Sequence, residues 1–351
     1  MFDTPIRRRR TQGLTVKLET DNPTATSTSK EESLARAVVR LNPRSARAKR
    51  VVALVTVGIP AIGFGVAVYL MLTGRATVLD YTLFLVFYAV QMFGITIGFH
   101  RYLAHKSFKT SRFFEGVLMI TGSMALEGPL LFWVTTHRRH HRFADGPGDP
   151  HSPNLSGDGL RGTLKGLWYA HIPWMFSDQE SRVSVFAPDV LRDRRLYSYN
   201  RTYPVWALIS LLLPGILGFA IGGSLAAAFS GFIFGGLARV FIGNQAAWCV
   251  GSISHMFGSR PFVNKDDSAN NWPVAIFTFG EGLQNNHHAF PSAYRHAMRW
   301  WEPDLSGWVL AILARAGIVW DLRMPDRETI DSRLRRNRTR SASPETDGQT
   351  R

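Results

Sequence analysis

Four long apolar stretches, roughly 51–73, 79–99, 204–223 and 226–250, constrain this chain more than any other feature. Each supplies the ~20 residues that, at ~1.5 Å per residue, cross the hydrocarbon core of a bilayer. Lipid offers no partner for a free backbone N–H or C=O, so such stretches cross as helices. The break between Gly74 and Asp80 is short and nearly neutral, and Gly222-Gly223-Ser224 is another tight turn. The spans therefore pair into two hairpins. Outside the hairpins the flanks are basic, at Arg44–Arg50, Arg101–Lys109 and Arg192–Arg201. Positive residues favour the cytoplasmic side, which places both termini and the 100–203 loop in the cytoplasm. The fold class read from this pattern is an all-α integral membrane protein with four transmembrane helices in two hairpins and a cytosolic helical cap.

Composition then excludes several classes. The formal net charge is +15, and residues 1–50 hold 12 Lys and Arg against 5 Asp and Glu. This excess sits in the tails and beside the apolar runs. The tails lack the interleaved aromatics on which single-stranded nucleic acid stacks, so no nucleic-acid partner is expected. Residues 1–50 read as a basic, largely disordered tail, 51–323 as the membrane domain and 324–351 as a second basic, disordered tail. The single cysteine, Cys249, excludes an internal disulfide and a cysteine-held iron–sulfur cluster. The first apolar run begins near Val51, too far in and too long for a cleavable signal peptide.

Two further apolar segments need placing. Segment 113–134 is long enough to span but carries Glu115 and Glu127, which are costly in lipid. Segment 305–320 is shorter and reads as an interfacial or packed helix.

The histidines carry the chemistry. Of 11, eight form a pattern: His100 and His105 in HRYLAH where the second span ends, His137, His140 and His141 in HRRHH, His287 and His288 in QNNHH, and His255 just past the fourth span. On a helix, positions i, i+3 and i+4 share a face, so His137, His140 and His141 point one way, as do Gln284, His287 and His288. His100 and His105, five apart, converge only at a helix end or bend. Imidazole suits Fe, Zn, Cu or Ni, and eight ligands are too many for one ion but fit two. If 113–134 crossed the membrane, the first two clusters would lie on opposite faces, so it is expected to lie along or dip into the cytoplasmic face. His151, His171 and His296 read as ordinary polar residues.

The segments GITIGFHRYLAHKSFKT, WVTTHRRHHRFAD with DPHSP, GEGLQNNHHAFP and RWWEPDLSGWV occur in that order. Together they resemble the membrane fatty-acid desaturases of the stearoyl-CoA and acyl-lipid delta-9 type, over roughly residues 80–323. The resemblance implies a di-iron centre held by His100, His105, His137, His140, His141, His255, His287 and His288, with no catalytic side chain beyond the ligands. It implies an O2-dependent enzyme placing a cis double bond in an acyl-CoA or acyl-lipid. Two positions depart from the family: Gln284 stands where members commonly have His, and Gly251 where many have Asn. Gln284 is read as a weak or water-mediated ligand. Asp145, Asp149 and Glu281 are candidates to orient the rings, and read equally well as surface carboxylates or loop caps.

Trp133, Trp174 and Phe290 are candidates for an acyl tunnel, and Arg192, Arg194 and Arg299 for a phosphate. With no cysteine cluster or haem signature, the electrons are expected from a separate carrier of ferredoxin, rubredoxin or cytochrome b5 type with an NAD(P)H reductase. The Arg-rich usage points to the inner membrane of a bacterium. Two rivals remain: a membrane hydroxylase of the same box chemistry, and a metal transporter. Asp80 and Arg239, read at span ends, argue against a transport path.

Overall fold

A computed structural model of the chain describes residues 34–334. The parts of the two expected tails beyond those limits lie outside the described residues. Four helices are long and apolar enough to cross a membrane: α1 (Pro43–Leu72), α2 (Val78–Ala104), α6 (Arg194–Gly222) and α7 (Leu225–His255). All four contain the expected apolar cores but run further at their polar ends. Helix α1 starts ahead of its apolar run because Asn42 caps it, its side chain accepting from Ser45 N at 2.9 Å. Its basic first turns are tied to the cap by Lys49 Nζ to Gln179 O at 2.7 Å and Arg50 Nε to Phe176 O at 3.2 Å. The turn into α2 is closed by a capping box in which Thr77 and Asp80 bond each other's backbone. Asp80 is thus a buried cap. The α6–α7 turn uses Gly223 in the left-handed region, at φ 67.

Helix α7 is the hub: α1, α2 and α6 all pack on it, whereas α1 scarcely touches α2 or α6. Arg239, expected near a span end, instead lies mid-way along α7 and fully buried. Its guanidinium bonds only uncharged groups, including Ser210 O at 2.9 Å, Met124 O at 3.1 Å and Gln91 Oε1 at 3.3 Å. It acts as a staple rather than part of a charged transport path.

Segment 113–134 does not span. It forms α3 (Arg112–Ser123) and the start of α4 (Leu130–Phe143), broken by a loop with Leu126 at φ 61 and Gly128 at φ 97. Its two acids face protein. Glu115 accepts from Tyr102 Oη at 2.5 Å and pairs with Arg195, and Glu127 accepts from Trp133 Nε1 at 2.9 Å. Helix α2 runs against α3 at backbone contact: a Cβ on Gly98 would lie 2.7 Å from Leu118 O.

The cap adds α5 (Gly159–His171) and two short antiparallel strand pairs. In these, β1 (Val38–Arg40) pairs with β3 (Gln179–Ser181), and β2 (Lys109–Thr110) with β4 (Val319–Trp320). Beyond α7 lie α8 (Trp272–Phe277), α9 (Gln284–Ala289) and α10 (Leu305–Arg315). Helix α10 buries Leu310 and exposes Trp308 and Ile312, as a helix at an interface does. The start of the expected C-terminal tail is instead folded. Asp326 caps α11 (Arg327–Arg333), and Met324, Ile330 and Leu334 pack against a core cluster containing Phe262 and Phe290. Apolar residues at that spacing suffice to hold a short helix despite the surrounding charge.

Candidate metal centre

The first box solves its own geometry. The last eleven residues of α2, Gly94–Ala104, are π-helical, with each N–H reaching five residues back. His105 N bonds His100 O at 3.1 Å. Residues five apart therefore stand on one face, and the two rings meet at 4.8 Å between centroids. Helix α4 brings in His137, His140 and His141, α9 brings His287 and His288, and the last turn of α7 brings His255.

These eight converge in two groups: His100, His105, His137, His141 and His287, and His140, His255 and His288. In the first, Nε2 atoms approach to 2.7 Å (His105–His137), 2.9 Å (His141–His287) and 3.1 Å (His100–His287). In the second, His140 and His288 Nε2 lie 3.4 Å apart, and His255 Nε2 is buried with no partner. Five ring nitrogens cannot satisfy one another by N–H···N bonds, since each neutral imidazole has one donor and one acceptor. Nitrogens bound to one ion at the ~2.0–2.1 Å typical of imidazole–zinc bonds would stand roughly 3 Å apart when at right angles. The donor set fits two cations.

Carboxylates set the outward nitrogens. His140 Nδ1 donates to Asp149 at 3.0 Å, His255 Nδ1 to Asp145 at 2.8 Å and His288 Nδ1 to Asp266 at 2.9 Å, while His100 Nδ1 abuts Glu281. A carboxylate accepting at Nδ1 leaves the Nε2 lone pair facing inward. Burial, and then the neighbouring rings, hold His105, His137, His141 and His287 well below the usual imidazole range. Burial lowers His288 to about 4. These rings are neutral, the form that binds metal. For His140, burial pulls down but Asp149 outweighs it, raising the pKa. Burial would raise Asp145, yet its bond to His255 holds it at about 2.

Asp145, Asp149 and Glu281 thus sit where the boxes place them. Asp266 escaped sequence reading: it lies in an irregular loop with no periodic signal. His296 escaped too. It is buried beside the cluster, 4.5 Å from His287 between centroids, with Nδ1 3.7 Å from Glu281 and neither ring nitrogen in a hydrogen bond. His151 stacks on His140 at 4.6 Å, and its Nδ1 would lie 3.0 Å from a Cβ at Gly251. His171 behaves as an ordinary residue, bonding Ser252 and Gln245. Gln284 turns its amide nitrogen to Glu281 O at 2.7 Å, leaving its oxygen for water or a cation.

The RWWEPDLSGWV segment locks the third box to the first. Asp304 binds Arg101 at 2.8 Å and accepts from the His296 and Gly307 backbones. Arg101 in turn reaches Glu281 at 3.3 Å. Glu302 accepts from Asn286 Nδ2 at 2.8 Å.

A cavity of about 720 Å³ runs past the histidines, within the range of small-molecule sites. His100, His137, His140 and His255 form one wall, with Trp133, Trp174, Met92 and Val52 among the rest. Phe290 does not line it: it is 6% exposed, in the core beside Phe262. Arg192, Arg194 and Arg299 also lie outside its lining.

This arrangement of two imidazole groups beside an apolar cavity, in a four-helix membrane frame, is that of a membrane lipid oxidoreductase. The sequence pattern of the fatty acid desaturase family matches residues 76–322, and the chain belongs to that family. It is 41% identical to the hex-5-enoyl-[acyl-carrier protein] acetylenase of Moorena producens over 277 residues, 78% of this chain and 86% of that protein. It is 33% identical to the sn-1 stearoyl-lipid 9-desaturase of Synechocystis sp. over 244 residues, 69% and 71% of the two chains. It is 34% identical to the acyl-CoA C20 Delta5-desaturase of Anemone leveillei over 234 residues, 67% and 70% of the two chains.

Proposed function

We propose that this chain places a cis double bond at the delta-9 position of a long saturated acyl chain, presented as acyl-CoA or acyl-lipid. The eight histidines named above hold two Fe2+ ions, and O2 is the oxidant. The observation that carries this reading is the convergence of eight imidazoles in two groups, with His100, His137, His140 and His255 on the wall of an apolar cavity.

No side chain can oxidise an unactivated CH2–CH2 unit, so bound iron supplies the O2-derived oxidising power. The protein's part is positional. Asp145, Asp149, Asp266 and Glu281 fix which ring nitrogen faces inward. Trp133, stacked on His137 at 5.0 Å, shields that face from water. The cavity holds the methylenes against the histidine wall. Gln284 offers an amide oxygen to the ligand-poor group, directly or through water. The two reducing equivalents come from a separate ferredoxin, rubredoxin or cytochrome b5 type carrier fed by an NAD(P)H reductase. We place the protein in a bacterial inner membrane with the histidines on the cytoplasmic side, from the basic flanks of both hairpins.

Expression in a desaturase-deficient host, with fatty acids profiled by mass spectrometry, tests the reading. A new monounsaturated acid that disappears in His140→Ala is expected. An oxygenated product would favour the hydroxylase reading. The likeness to the Moorena producens acetylenase supports a second reading, in which an existing alkene is dehydrogenated. Feeding a terminal alkenoate and finding an alkyne would establish it.

A further inference from the structure

The two histidine groups are unequal. One gathers five imidazoles, the other only His140, His255 and His288. A site with three protein donors leaves its cation a further position to fill. Beside Gln284, a second side chain stands ready to fill it.

His151 lies in the loop that already serves this group. Asp145 and Asp149 of that loop hold His255 and His140, and the His151 N–H donates to Asp149 Oδ1 at 3.1 Å. The His151 ring stacks on His140 at 4.6 Å and lines the acyl cavity with His140 and His255. One of its ring nitrogens lies within 4.8 Å of a ring nitrogen of His140, within reach of an ion or of a water on that ion. Its Nδ1 is buried without a hydrogen-bond partner, which costs free energy until something binds there. Gly251 makes this seat possible. It precedes His255 on α7 by four residues, one helical turn. Outside the helix backbone, the three atoms nearest to a Cβ built there all belong to the His151 ring, with Nδ1 at 3.0 Å. A side chain at 251 would hold the ring off α7, and glycine admits it. The ring also packs on Trp174 at 5.1 Å, but packing alone leaves Nδ1 idle.

We propose that His151 is a further donor of the three-histidine group, holding the second cation directly or through one water, with Gly251 as the notch that admits it. This rests on the two-iron reading. It makes the second ion depend on a residue that no histidine box contains.

The test uses the full chain in lipid nanodiscs, loaded with Fe2+ without oxygen and dialysed against graded chelator. Iron per chain is measured by mass spectrometry, and Mössbauer spectroscopy tells the two irons apart. The wild type is expected to hold two, giving up that of the three-histidine group first. His151→Phe keeps the contacts with His140 and Trp174 but has no donor. It should release the second iron at about 10- to 100-fold less chelator, as for a lost supporting group, with the first unchanged. His151→Ala should do the same. Adding Gly251→Asn to His151→Ala should restore retention, because its side chain enters the vacated place with an amide oxygen. Two irons held by His151→Phe as tightly as by the wild type overturn the proposal, whatever His151→Ala does. If His151→Phe does not fold, the His151→Ala pair decides: restoration by Gly251→Asn supports the proposal, and no restoration overturns it. A wild type that never holds a second iron overturns the two-iron reading and the proposal with it. A wild type that makes no alkene, with the His151→Phe difference intact, overturns the desaturase reading alone.

Discussion

At the scale of single residues, the groups behind the histidines matter as much as the rings. Asp266 holds His288 as Asp145 holds His255, though no motif contains it. Removing an outer-shell carboxylate typically costs 10- to 100-fold in metal affinity. Asp266→Ala is expected to lower retained iron by that order after dialysis against a chelator, with His171→Ala as an unaffected control. Glu127 gives a pH signature. Burial raises its carboxyl to about 7 against a small opposing effect of the Trp133 bond. A carboxyl raised on folding favours the folded state at pH below its unfolded value near 4.5, and that contribution is lost as pH rises through 7. Glu127→Gln keeps an oxygen to accept from Trp133 without the ionisation. Its thermal midpoint should gain on the wild type steadily between pH 5 and 8, and a constant difference would show that Glu127 is not buried as described.

At the scale of elements, what was legible followed periodicity. The spans and the i, i+3, i+4 face of HRRHH are local patterns, and both survive in α1, α2, α6, α7 and α4. The HRYLAH box was legible as chemistry but not as geometry, because the π-helical turn arises from packing. Gly94 and Gly98 let α2 lie on the α3 backbone, where a Cβ would meet Thr121 at 2.3 Å and Leu118 O at 2.7 Å. Gly98→Val is therefore expected to destabilise by several kcal/mol, in the range of severe overpacking. Loss of folded protein by fluorescence-detected size exclusion would show it, and a well-folded variant would mean that the two helices are further apart. Asp266 and His296 were not legible, since irregular loops and long-range contacts bring them to the cluster. The helix α11, inside an otherwise charged tail, escaped for the same reason.

At the scale of the whole molecule, the bundle is asymmetric: α7 touches every other span, and among the spans α1 packs chiefly on α7. The basic flanks predict that the Gly74 and Gly223 turns share one side of the membrane, with Arg112 and Arg327 on the other. With Cys249 as the single native thiol, a cysteine-free background is one substitution away. Cysteines introduced at these four sites should label in two pairs from opposite faces, and any other pairing would overturn this topology. Arg138 joins the cap to both boxes, bonding Leu103 O, Ala104 O and Asp189. This is why the cap, though loop-rich, closes over the histidines as one body.

The π-helical stretch of α2 also fixes a phase. Upstream, the same helix presents Leu83, Phe87 and Gln91 to the bundle. Downstream it presents His100 and His105 to the histidine cluster. Deleting one residue between the two histidines would give an ordinary i, i+4 pair, still on one face. Yet everything before the deletion would turn by ~100° relative to everything after. The box would keep its ligands while its anchor faced the wrong neighbours. The extra residue is what lets one continuous rod serve two partners, the bundle packing and the histidine cluster, whose directions an unbroken α-helix could not reconcile.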